Sequence, residues 1–88
     1  MATIRKKIWL EYFEAVASGK KKCELRLNDF EIGEGDILVL EEWDPRKKEY
    51  TGRKIEKKVT YVKKFKIEDL FWPEEEIKEK GIQIISLE

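Results

Sequence analysis

Three charged residues, Lys21, Glu24 and Arg26, lie close together in the sequence and have side chains suited to binding a nucleotide. An arginine guanidinium binds a phosphate or a base edge through paired hydrogen bonds, and a lysine ammonium adds a point charge. A carboxylate beside them can accept a hydrogen bond from the exocyclic amine of a base, as Glu and Asp do with cytosine. The simpler interpretation is an ion-paired strand face in water, which adds little stability.

A second group of residues combines aromatic rings with positive charge. Trp43 and Tyr50 flank a polar segment, and Arg53 follows it. Further basic residues nearby are Arg46, Lys47, Lys48 and Lys54. Bases of a single strand stack on aromatic side chains, at ~1–3 kcal/mol per base, while basic residues contact the phosphates. This combination predicts an RNA contact, and the competing interpretation is a hydrated hairpin tip.

The composition excludes several other kinds of site. Cys23 is the one cysteine and histidine is absent, so neither an intramolecular disulfide nor a Cys/His zinc site can form. Cys23 falls on the apolar side of a predicted strand, which favours a core position over a reactive thiol. The acidic run Glu74–Glu76 follows Pro73 and indicates a helix start rather than a cation site. We predict neither a metal nor a cofactor.

Charge and hydropathy restrict the partners and the location of the protein. Basic and acidic residues both number 19, and zero net charge argues against bulk electrostatic capture of nucleic acid. The charges are uneven, because residues 1–64 hold 16 basic and 12 acidic residues whereas residues 65–88 hold 3 and 7. The sequence has no run of ~18–20 apolar residues, and its first residues lack the apolar run that is typical of a signal peptide. We therefore expect a cytoplasmic protein with no membrane partner.

The spacing of apolar residues predicts the elements that position the first charged group. A strand over Ile4–Ile8 precedes an amphipathic helix, which ends at Gly19. The apolar face of this helix consists of Trp9, Tyr12, Phe13, Val16 and Ala17. Lys20–Leu27 alternates charged and apolar residues, which predicts a half-buried strand with Glu24 and Arg26 on its outer face. Lys21 can join these two only from the turn before that strand.

The middle of the chain predicts a hairpin. Ile37–Leu40 is apolar throughout, which indicates a buried central strand, and Arg46–Gly52 is polar, which indicates the hairpin tip. The next strand is predicted to turn Ile55, Val59 and Tyr61 inward. Lys57 interrupts this inner row, so we expect a bulge or a barrel rim there.

The last part of the chain predicts a helix and a strand. Pro73 suits the first position of a helix, and Gln83–Leu87 is predicted to form the final strand. Ile82, Ile84 and Ile85 are expected in the core. We therefore predict one α+β domain over residues 1–88, a small mixed β-barrel with one long N-terminal helix against its side and a short C-terminal helix.

Several of these stretches resemble the ASCH superfamily. Ile8–Val16 and Ser18–Asp29 look like the ASCH motif region, in which a helix precedes Gly-x-Lys-x-x-Glu-x-Arg at the start of a strand. The similarity extends over nearly the whole chain, and Glu42–Pro45 and Tyr50–Arg53 resemble a small prokaryotic and phage ASCH-like group of unknown function. The remaining matching stretches are Gly33–Leu40, Glu42–Pro45, Tyr50–Arg53, Ile55–Val62 and the terminal Ile-Ile-Ser-Leu.

The resemblance implies a PUA-like β-barrel with a ligand cleft between the first helix and the barrel. It places Lys21, Glu24 and Arg26 at the mouth of that cleft. ASCH proteins are associated with RNA binding and RNA-linked regulation. We therefore predict a binding module for RNA or a nucleotide, with Trp43, Tyr50 and Arg53 as further contacts.

Two alternatives remain open. A small ASCH relative is an amidohydrolase of acylated cytidine that uses a lysine and a threonine of this segment with a later glutamate. The resemblance aligns Lys21 with that lysine, but Glu24 stands where the threonine would be, and a carboxylate does not supply an alkoxide-type nucleophile. We therefore favour binding over catalysis. The acidic C-terminal segment and zero net charge fit a protein-interaction or regulatory domain instead.

The abundance of Lys and Glu, with Asn28 and Gln83 as the only side-chain amides, is typical of a heat-adapted surface rich in ion pairs. We predict a thermal unfolding midpoint above the ~45–65 °C of ordinary domains. Differential scanning calorimetry measures it, and a midpoint within that range contradicts a thermophilic origin.

Overall fold

The computed structural model describes all 88 residues, Met1–Glu88, and contains a three-stranded sheet with two short α-helices. The elements in chain order are β1 (Thr3–Trp9), α1 (Leu10–Ala17), β2 (Ile37–Asp44), β3 (Glu49–Lys58), a 3₁₀ turn (Ile67–Asp69) and α2 (Glu74–Lys80). The strand order is β1-β2-β3, with β1 parallel and β3 antiparallel to β2. The predicted first strand is confirmed.

β2 is the central strand because its apolar run can be covered on both faces. Leu38 and Leu40 lie on the face that packs against α1, while Val39 points to the opposite face and is also buried. The prediction of a buried central strand at Ile37–Leu40 is confirmed. The strand continues to Asp44, whose side chain accepts hydrogen bonds from the backbone N–H groups of Arg46 and Lys47 and so starts the hairpin turn.

α1 follows β1 without a loop and covers the core. Phe13 and Val16 point inward and pack with Ile8 of β1 and the leucines of β2. The helix ends at Ala17, and Gly19 has a φ of 83°, a left-handed conformation that suits glycine. The predicted long N-terminal helix is wrong. Trp9 still belongs to β1, and Gly19 turns the chain away after eight helical residues.

The predicted β-barrel is also wrong, because the sheet is open and has three strands. The segment Lys20–Leu27 forms no strand. Its apolar side chains Leu25 and Leu27 stay exposed, so strand pairing would bury little there, and its charged side chains pair with one another instead. One of the strands that the predicted barrel requires is therefore missing.

The predicted final strand is wrong as well. Gln83–Leu87 forms no strand, and the isoleucines expected in the core are exposed. Tyr61, expected to point inward, is exposed as well, because β3 ends at Lys58. The predicted helix after Pro73 is confirmed as α2, with acidic residues in its first turn and lysines in its last.

The predicted bulge at Lys57 is wrong, because Lys57 pairs in regular register with Leu38. The register shifts instead between Glu41 and Trp43. Glu42 therefore faces the three-residue stretch Thr51–Arg53, in which Gly52 has a φ of 96°. A glycine there permits the left-handed turn that this irregularity needs.

No helix of the chain is both long enough and apolar enough to cross a membrane.

The burial pattern predicts that two identical substitutions have unequal effects on stability. Leu40 is 1% exposed, so Leu40→Ala should lower the free energy of unfolding by about 2–5 kcal/mol. Leu87 is 76% exposed, so Leu87→Ala should change it by less than about 0.5 kcal/mol. Urea unfolding of both variants measures the difference. A comparable loss in Leu87→Ala would mean that the C-terminal segment belongs to the core.

Candidate functional site

Lys21, Glu24 and Arg26 form one connected ion-pair cluster. The Lys21 Nζ lies 3.0 Å from Glu24 Oε1, and the Arg26 Nε lies 3.0 Å from Glu24 Oε2. Each carboxylate oxygen thus accepts a hydrogen bond from a different cation. All three side chains are partly buried, which screens the pairs less than full exposure would.

The turn after α1 places Lys21 in this cluster. The Lys21 N–H donates to the Ala15 carbonyl at 2.8 Å, so its backbone is held against the end of the helix. The Lys21 ammonium also lies 5.6 Å from the centre of the Tyr12 ring of α1. Because Lys20–Leu27 forms no strand, the strand alternation that would send Lys21 to the opposite face from Glu24 and Arg26 does not apply.

Arg26 connects the cluster to the sheet. Its Nη2 donates to the Lys7 carbonyl of β1 at 2.7 Å. The loop that carries the three charges therefore lies beside β1, which is an edge strand of the sheet. A single hydrogen bond from a charged donor holds the loop at this point.

Lys7 also contacts the aromatic residues predicted from the hairpin. Its ammonium lies 3.7 Å from the centre of the Trp43 ring and 5.9 Å from that of Tyr50. Trp43 and Tyr50 pair across β2 and β3 in an edge-to-face arrangement, with ring centres 5.0 Å apart. Tyr50 is 53% exposed, so its ring is accessible. Lys7 thus touches both predicted groups, one through its backbone and one through its side chain.

Sequence reasoning did not single out Lys7. Ile4 and Ile8 point toward the core, and strict alternation places Lys7 on the opposite face of β1. That face was predictable. Its aromatic neighbours come from β2 and β3, so they could be named only once the strand order and register were known.

Glu42 is a buried carboxylate that the sequence analysis also missed. It is 4% exposed and accepts hydrogen bonds from the Thr51 hydroxyl and from Arg53. Arg53 binds it with two N–H groups, at 2.9 and 2.7 Å, and also contacts Glu14 of α1 at 2.8 Å. The guanidinium carbon lies 4.6 Å from the centre of the Phe13 ring. The arginine therefore joins β3, β2 and α1.

The hydrogen bonds between Glu42 and Arg53 shift the pKa of both groups. The hydrogen bonds from Arg53 hold the pKa of Glu42 below its ordinary value of 4.5, against the opposing effect of burial. The same bonds, with the contact to Glu14, raise the pKa of Arg53 above its ordinary value. Glu42 is therefore ionised, and Arg53 is charged, at neutral pH.

The predicted residues fall into two sets in the structure. Lys21, Glu24 and Arg26 contact one another, and Trp43 and Tyr50 contact each other beside Lys7. Arg53 is bonded to Glu42 and Glu14 instead, so its predicted contact with a ligand stays a prediction. Cys23 lies outside both sets, with its Sγ 3.2 Å from the Ser86 Oγ. No cluster of three Cys, Asp or Glu residues is arranged to hold a metal ion.

The comparisons with known proteins place the chain in a family. Residues 5–72 match the family described as Domain of unknown function (DUF3850). The chain belongs to this family. The match runs from within β1 to just beyond the 3₁₀ turn, and so includes every residue of the two sets above.

A curated relative from Escherichia phage P2 is the Uncharacterized 12.9 kDa protein in GpA 3'region. It is 41% identical over 56 residues, which is 64% of this chain and 50% of the relative. The aligned part of the chain thus spans about half the length of this relative. No solved structure matches the chain.

The Glu42 contacts predict a pH-dependent contribution to stability. Glu42→Gln should lower the free energy of unfolding at pH 7 by about 2 kcal/mol, because Thr51 and Arg53 lose the charged acceptor of their three hydrogen bonds. This is below the ~3–5 kcal/mol of fully buried pairs, because Arg53 is half exposed.

The sign of the pH dependence follows from the lowered pKa of Glu42. Its contribution is complete above the ordinary value of 4.5 and is lost as the pH falls through the lower, folded-state pKa. Urea unfolding between pH 7 and pH 3 should therefore show the gap between wild type and Glu42→Gln closing at the acid end. Glu41→Gln removes the same charge from the next residue, whose only ion pair is a 3.8 Å contact with Arg5, and should change stability by less than about 0.5 kcal/mol. Equal effects of the two variants would contradict the role given to Glu42.

Proposed function

We propose that this protein is a cytoplasmic module that binds RNA or a nucleotide at Lys21, Glu24 and Arg26, with Trp43 and Tyr50 as the stacking surface. The observation that carries the proposal is the double contact of Lys7. Its carbonyl accepts from Arg26, and its ammonium lies over Trp43. The proposed phosphate contact and the proposed stacking surface thereby meet at one residue of β1.

The charges of the cluster favour an anionic ligand. Glu24 is the one acid between two cations, so Lys21, Glu24 and Arg26 together carry a positive charge, to which Lys7 adds another. A guanidinium has more N–H groups than Arg26 uses on Glu24 and Lys7. The remaining donors are available to a phosphate, and Glu24 can accept from an exocyclic amine.

The aromatic pair supports stacking of a base. In the free protein the Lys7 ammonium lies over the ring of Trp43, which is partly buried, and stabilises it through a cation–π contact. A base that stacks there takes the place of the ammonium, which is then free to pair with the phosphate. Both contacts are independent of base identity, so we expect any base preference to come from the Glu24 carboxylate, which can accept only from a base that carries an amine.

Arg53 contributes to this proposal indirectly. Its hydrogen bonds to Glu42 hold the start of β3 against β2, and that pairing positions Tyr50 opposite Trp43. We therefore assign Arg53 a positioning role. The resemblance of the Gly-x-Lys-x-x-Glu-x-Arg segment to ASCH sequences is further support for RNA or nucleotide binding.

Binding is tested by NMR titration with nucleoside monophosphates and short single-stranded RNAs at two salt concentrations. We expect chemical-shift changes at Lys21, Glu24 and Arg26 and weaker binding at high salt. Arg26→Lys keeps the charge but loses the paired N–H donors of the planar guanidinium, and should weaken binding about tenfold. Lys78→Ala removes one positive charge from the exposed face of α2 and should leave affinity unchanged. The absence of shifts at the three residues with every ligand contradicts the proposal.

The alternatives give different results with the same preparations. Release of cytidine from an acylated cytidine, abolished by Lys21→Ala, would favour an amidohydrolase. Copurification of a specific protein partner without nucleic acid would favour an interaction domain.

A further inference from the structure

Phe30 is a second aromatic residue that is covered by a lysine, as Trp43 is covered by Lys7. The Lys6 ammonium lies 3.8 Å from the centre of the Phe30 ring. Both residues line an open hollow of about 300 Å³, together with Leu25, Arg26, Leu27 and Asp29. Neither Lys6 nor Phe30 takes part in the site described above.

The hollow has the groups that a nucleotide unit needs. Phe30 offers a ring for stacking, and the exposed leucines extend the apolar surface. Lys6 and Arg26 supply cations for phosphate, while Asp29 can accept from a base amine. A volume of about 300 Å³ is at the lower end for small-molecule sites, which favours one nucleoside over a larger ligand.

The position of the hollow relates it directly to the first site. Lys6 and Lys7 are consecutive residues of β1, so their side chains leave opposite faces of the strand. Lys6 covers Phe30 on one face, and Lys7 covers Trp43 on the other. Arg26 lines the hollow and donates to the Lys7 carbonyl, so it lies between the two aromatic positions.

We propose that the ligand is a single-stranded oligonucleotide that crosses the β1 edge, with one base on Phe30, another on Trp43 and the intervening phosphate on Arg26. This inference rests on the proposed function and adds the class of ligand. A mononucleotide can occupy only one aromatic position. A dinucleotide or a longer strand supplies two bases and the phosphate between them, and each occupied ring adds stacking energy.

Length dependence is the test, with fluorescence anisotropy of a labelled hexanucleotide displaced by unlabelled mono-, di-, tri- and hexanucleotides. We expect affinity to rise at least tenfold from the mononucleotide to the dinucleotide and to change little beyond it. Phe30→Leu removes the ring but keeps an apolar side chain. It should abolish that gain and leave mononucleotide affinity unchanged. Phe71→Leu, at a ring that is 92% exposed, is the matched control and should keep the gain.

A second variant protects the test against misfolding of Phe30→Leu. Lys6→Gln keeps the ring and removes the cation, so it should weaken the trinucleotide severalfold and reduce the salt dependence of its binding. RNA and DNA versions of the trinucleotide separate the two sources of this chemistry. A preference for RNA indicates a contact with the 2′-hydroxyl, and equal affinity indicates recognition by stacking and phosphate alone.

Two failures have different meanings. If mononucleotides bind but length adds nothing and Phe30→Leu and Lys6→Gln have no effect, the two-base path is wrong and the proposed function stands. If no nucleotide of any length binds, both proposals are wrong.

Discussion

The buried carboxylate of Glu42 is the constraint on which the arrangement of this protein depends. A charge in the interior is tolerated only when its hydrogen bonds are satisfied. Arg53 and Thr51 satisfy it, and both reach it because the register shift curls residues 51–53 around Glu42. Arg53 then extends to Glu14, so the same carboxylate that fixes the hairpin also ties α1 to the sheet.

This arrangement explains how a small core supports an ordered surface. The core cluster contains five buried residues, from β1, α1 and β2. From the loop after α1 only Ile32 packs against this cluster, and the C-terminal segment contributes no residue to it. Polar contacts do the positioning there. Asp36 accepts from the N–H groups of Ala2 and Gly33 at 2.8 and 2.9 Å, which keeps its pKa low and ties the entry of β2 to the start of β1. Arg26 ties the loop that follows α1 to β1 in a similar way, through its hydrogen bond to the Lys7 carbonyl.

The sequence was informative where local pattern decides structure. β1, the apolar part of β2 and α2 follow from residue alternation and helix-start chemistry. The barrel did not follow, because alternation in Lys20–Leu27 shows that a segment can form a strand, not that a partner lies within reach. Glu42 had a usable signal, since it continues the inward row of Leu38 and Leu40. Its partners Thr51 and Arg53 did not, because they depend on a register shift that no local pattern encodes.

The zero net charge of the chain is compatible with the proposed affinity for phosphate, because a ligand responds to the local distribution of charge and not to the total. Most exposed pairs, such as those along α2, neutralise each other locally. Around Arg26 positive charges outnumber negative ones. Lys6, Lys7 and Lys21 all lie near Arg26, and Lys21 and Arg26 share the single carboxylate of Glu24. Two of these lysines rest on aromatic rings in the absence of a ligand. A base and a phosphate that arrive together can replace each such contact, the base taking the ring and the phosphate taking the lysine, so neither group is left unpaired on binding.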